Sequence, residues 1–114
     1  ASFSAGVDTP VDREVRKTIA EGTAIRHPLR LKQMIAALKE SGGGTVAIPE
    51  DGIVAALKRL ALTGLFVEPT SASAAAALDV LKARGAIRPT ERTVVIISGT
   101  GIKAAGLITE LLGS

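Results

Sequence analysis

Hydrophobic positions along this chain alternate between short β-branched runs and longer stretches at helical spacing. Leu31, Met34, Ile35 and Leu38 recur every three or four residues, which predicts a helix over Leu29–Glu40 after Pro28. Ser41-Gly42-Gly43-Gly44 stops it. Thr45–Ile48 reads as a short strand. Pro49-Glu50-Asp51 then opens a second helix, with acids where the helix dipole favours negative charge. Its apolar stripe is Ile53, Ala56, Leu57, Leu60 and Ala61, and Gly64 ends it. Leu65–Glu68 reads as another strand, and Thr70 or Ser71 caps an Ala-rich helix from about 72 to 84 that Gly85 closes. Thr93–Ser98 is the longest strand, built on Val94, Val95, Ile96 and Ile97, and a last helix runs from about 102 to 112. Lys17–Arg26 reads as a loop followed by a strand. Residues 1–16 are polar and irregular, and residues 17–114 form one domain.

Strands alternating with helices predict βαβ units: an α/β fold with a parallel β-sheet, helices on both faces and right-handed crossovers, three layers αβα. Strands then end on one edge, where Gly22, Pro69 and Ser98 converge on a crevice. Ala74–Ala77 let their helix pack close to the sheet. The core must be aliphatic, because apolar residues make up 46% of the chain while Trp and Tyr are absent and Phe occurs twice. No apolar run approaches the roughly 20 residues of a membrane span. Zero cysteines exclude disulfides and thiolate zinc sites and point to a reducing, cytoplasmic setting. The net charge of +3 is spread along the helices among acids, which describes a solvated surface and excludes a nucleic-acid patch.

The chemistry concentrates at Ser98-Gly99-Thr100-Gly101-Ile102-Lys103, where a strand turns into a helix start. Ligands of open α/β sheets sit at such edges, and glycines there let backbone approach a ligand. The run fails as a P-loop, since Ile102 precedes Lys103 and Ala104 follows it. Gly99-x-Gly101-x-x-Ala104 matches a loose dinucleotide fingerprint, but no strand and no ribose-binding acid follow. A structural Gly-rich turn is the plain alternative. Ser41–Gly44 lies at a helix C-terminus and reads as a cap, since phosphate favours N-termini. His27 is the only histidine, which excludes a His-based metal cluster, and no nucleophile elbow accompanies it. Glu50 and Asp51 are first-turn helix acids. Glu68 either steadies the site or caps the next helix.

Five segments occur in a telling order: Thr18-Ile-Ala-Glu-Gly22, Ile25-Arg-His-Pro28, Glu40-Ser-Gly-Gly43, Phe66-Val-Glu-Pro-Thr-Ser-Ala72 and Ile97-Ser-Gly-Thr-Gly-Ile-Lys103. Together they resemble the C-terminal third of the fold-type-II pyridoxal-phosphate enzymes, and among these threonine synthase. The resemblance implies the α/β large domain of that group and pyridoxal 5'-phosphate as cofactor. It makes Ser98 the partner of the pyridine nitrogen, with Gly99, Thr100, Glu21 and Gly22 beside the cofactor. A hydroxyl there leaves the ring nitrogen largely unprotonated, which suits elimination and replacement chemistry. The implied activity is that of a lyase acting on an amino acid, O-phosphohomoserine to threonine. Ser98 and Thr100-Gly-Ile-Lys-Ala104 depart from the threonine-synthase pattern, and a Ser at the position of Ser98 is common in the related cysteine synthases and serine/threonine dehydratases.

The Schiff-base lysine and the phosphate loop of that group have no counterpart here, and Lys103 reads as a surface lysine. The chain is therefore expected to be a catalytically incomplete C-terminal part of a larger enzyme. Its expected partners are the N-terminal part, an amino-acid substrate and a second copy in a homodimer, with neither nucleic acid nor membrane. The competing class is a free-standing small α/β domain, binding an anion or serving as a scaffold without chemistry.

Overall fold

The computed structural model describes residues 1–14 and 16–113, and their regular structure is helical. Val15, inside the expected irregular segment 1–16, and Ser114, at the end of the expected 17–114 domain, lie outside the described residues. Among the described residues four α-helices form: α1 (Leu31–Glu40), α2 (Glu50–Leu62), α3 (Pro69–Ala83) and α4 (Ala105–Leu112). Short 3₁₀ turns occupy Glu21–Thr23 and Gly101–Ala104.

The first three helices end alike, at a glycine with positive φ: Gly42, Gly64 and Gly85. At each, the glycine N–H and the next N–H fold back onto carbonyls of the last turn. Gly64 N–H donates to Ala61 O and Leu65 N–H to Leu60 O, at 2.9 and 3.0 Å. Gly43 N–H likewise donates to Leu38 O at 2.8 Å. The Ser41–Gly44 run is thus the cap of α1.

The expected sheet does not form. No β-strand occurs among the described residues, and the one β-type pairing among them is an isolated antiparallel bridge between Val67 and Thr100. A helix closes its hydrogen bonds within its own segment, whereas a strand needs a neighbour. Thr45–Ile48, Leu65–Glu68 and Thr93–Ser98 find none beyond that bridge. Val94 and Ile96 stay 81% and 77% exposed. The α/β, three-layer αβα expectation is overturned, and with it the fold-type-II architecture that the resemblance implied.

By its contacts the chain divides into two units, Ala1–Lys17 with Ala24–Thr45 and Thr18–Thr23 with Val46–Ser114. In the first, Ile35 of α1 is the buried apolar side chain among the described residues. In the second, α2 packs on α3. Ile53, Ala56 and Leu57 meet Ala72, Ala75 and Ala76, joined by Ala20 and Val67. The small side chains of α3 were expected to seat it on a sheet; they seat it on a helix instead. Glu50 at the start of α2 accepts the Ile19 N–H at 2.9 Å, so this first-turn acid ties the 18–23 segment to the core.

Candidate functional site

The first turn of α3 is the point on which the predicted site residues converge. Glu68 occupies the N-cap in extended conformation, and Pro69 takes the first helical position, where its missing N–H costs nothing. The helix therefore starts ahead of Thr70 and Ser71, which stand inside it as hydroxyl acceptors. Thr70 Oγ1 accepts the Gly22 N–H at 3.1 Å. Ser71, 1% exposed, accepts the Gly99 N–H through Oγ at 2.8 Å, with Ser98 Oγ 3.4 Å away. Glu68 N–H donates to Gly99 O at 3.2 Å and Gly101 N–H to Phe66 O at 3.0 Å, on either side of the Val67–Thr100 bridge. Thr100 Oγ1 accepts the Ile102 N–H at 3.5 Å and caps the 3₁₀ turn that follows.

Gly22, Ser98 and Gly99 are thereby bonded or adjacent to Thr70 and Ser71, while Thr100 joins through Val67 and Glu21 borders the same turn. The sequence marks Thr70 and Ser71 as candidate helix caps, and the resemblance puts the turn after Glu68 near the crevice; their hydroxyls just after Pro69 are the signal for the wider bonding role. A cleft of about 410 Å³ opens here, bordered by Glu21, Gly22, Glu68, Thr70 and Lys103. Ser98, Gly99 and Thr100 do not line it.

The glycines have a specific steric reason. A Cβ on Gly99 would collide with the Glu68 carboxylate. One on Gly101 would come within 2.9 Å of Phe66 and Ile108, and one on Gly22 within 2.8 Å of Thr70 Oγ1. The space beside each glycine is occupied by the chain's own side chains. Glu68 thus neither caps α3, since its side chain makes no capping bond, nor stands back from the turn: it fills the gap at Gly99.

This arrangement does not fit pyridoxal phosphate. The residues implied beside the cofactor ring bond to one another instead, and no set of free N–H donors in positive surroundings stands in for the missing phosphate loop. Here the N–H groups of Gly22, Gly99 and Ile102 are spent on Thr70, Ser71 and Thr100 hydroxyls. Two carboxylates, Glu21 and Glu68, border the cleft against one cation, Lys103. The expectation that this chain holds pyridoxal 5'-phosphate is corrected accordingly. The lyase or synthase activity it was to support loses its ground as well. The expected amino-acid substrate belonged to a crevice at a sheet edge, and that edge is not built. The N-terminal part expected from the fold-type-II reading loses its structural basis with it, and nothing among the described residues supports the homodimer.

His27 is exposed, and no group of three or more His, Cys, Asp or Glu able to hold a metal occurs among the described residues. No helix among them is long and apolar enough to cross a membrane.

Comparison with known proteins adds an independent line. Residues 1–99 match the family described as pyridoxal-phosphate dependent enzyme. The chain is 41% identical over 88 residues to a threonine synthase of Methanocaldococcus jannaschii, covering 76% of this chain and 22% of that protein. It is 33% identical over 103 residues to a threonine synthase of Methanosarcina acetivorans, covering 90% of this chain and 25% of that protein. Against the chloroplastic threonine synthase 2 of Arabidopsis thaliana it is 31% identical over 86 residues, covering 75% and 17%. The chain thus spans a quarter or less of the length of these curated relatives.

Proposed function

The chain belongs to the pyridoxal-phosphate dependent enzyme family, and within that family we propose that it acts as a scaffold segment without catalytic chemistry of its own. The observation that carries this reading is the filling of the glycine-rich turn from within. Glu68 occupies the space beside Gly99, and Phe66 with Ile108 occupies that beside Gly101. Ser98, Gly99, Thr100, Glu21 and Gly22 then act as a joint. They fasten the segments 18–23 and 98–101 to the start of α3, a helix that packs on α2. An anion-binding role at the same turn is disfavoured by Glu21 and Glu68, whose charges outnumber that of Lys103. The absence of cysteine favours a reducing compartment, and the cytoplasm is the proposed location.

Amide spectra test this directly. With inorganic phosphate or pyridoxal phosphate added, the Gly22, Gly99 and Ile102 resonances should stay in place, because their N–H groups already have partners. Saturable shifts confined to these three amides would show a ligand displacing the hydroxyls, and the scaffold reading would fail.

A further inference from the structure

We draw no further inference here: the strongest candidate, the extended apolar segment Thr93–Ser98 with Val94 and Ile96 exposed, carries nothing because nothing in the structure shows what covers it.

Discussion

At the scale of single residues, one side chain decides between two uses of the same motif. A glycine beside a helix start can mean close approach of a ligand or close approach of the protein. The sequence contains both readings of Ser98-Gly99-Thr100-Gly101, and only the position of Glu68 separates them. Glu68 lies some thirty residues from Gly99 in the chain, so local pattern could not reveal the contact. Gly22 and Gly99 meet the first turn of α3 through Thr70 and Ser71, not at the sheet-edge crevice where the sequence reading put Gly22, Pro69 and Ser98. Which atoms fill the space beside these glycines was not legible. A second residue-scale pair is local and has a pH signature. The Glu91 carboxyl is held below its usual range, first because it accepts the Arg88 backbone N–H and then because it accepts the Arg88 guanidinium. A depressed folded value means that this turn's stabilisation is full above the ordinary carboxylate range and is lost as pH falls through the depressed value. A carboxyl titration by nuclear magnetic resonance should therefore place Glu91 below the ordinary glutamate value, and Arg88→Ala, which removes the guanidinium but keeps the backbone N–H, should move it part of the way back up. An unchanged titration in the variant would remove Arg88 side-chain bonding as a cause.

At the scale of elements, helices were readable and strands were not, for one physical reason. Each helix carries its own punctuation: Pro49 and Pro69 at the starts, Gly42, Gly64 and Gly85 at the ends. Those signals act within a few residues and need no partner. The β-branched run Thr93–Ile97 carries equally strong local preference, but a ladder requires a neighbouring strand, and preference alone does not supply one. The start of α3 was misplaced by about three residues, because Pro69 was read as preceding the helix instead of beginning it. The α2–α3 contact is where burial is densest, and it should dominate stability. Leu57→Ala removes most of a buried side chain facing the alanines of α3, and should cost about 2–5 kcal/mol in denaturant unfolding. A loss below about 0.5 kcal/mol, the usual range for surface substitutions, would mean that α2 and α3 do not form the core. The Arg59–Asp79 pair linking the same helices at 2.7 Å is half-exposed, and pairs of that kind contribute only about 0–1 kcal/mol.

At the scale of the whole molecule, sequence relationship and architecture give different kinds of information. Family membership rests on ordered similarity over residues 1–99, whereas the sheet expected from that resemblance is not part of this helical structure. The two units also differ in how much apolar surface they bury. Ile35 serves the first, while the second assembles Ile53, Leu57, Val67 and the alanines of α2 and α3. Local opening follows buried apolar contact. Amide hydrogens of α1 should therefore exchange well before those of α2 and α3, and equal protection across all three helices would contradict this division.

Whether the chain itself packs the glycine-rich turn is decided by a double-mutant cycle on Gly99 and Glu68. Gly99→Ala alone should destabilise by about 1 kcal/mol or less, because its methyl displaces the half-buried Glu68 carboxylate, a flexible side-chain end that swings aside. Combined with Glu68→Ala, the same change should cost less, giving a coupling of about 0.5 kcal/mol. Strictly additive effects, with Gly99→Ala equally costly in both backgrounds, would show that Glu68 does not fill the turn, and the account would not stand.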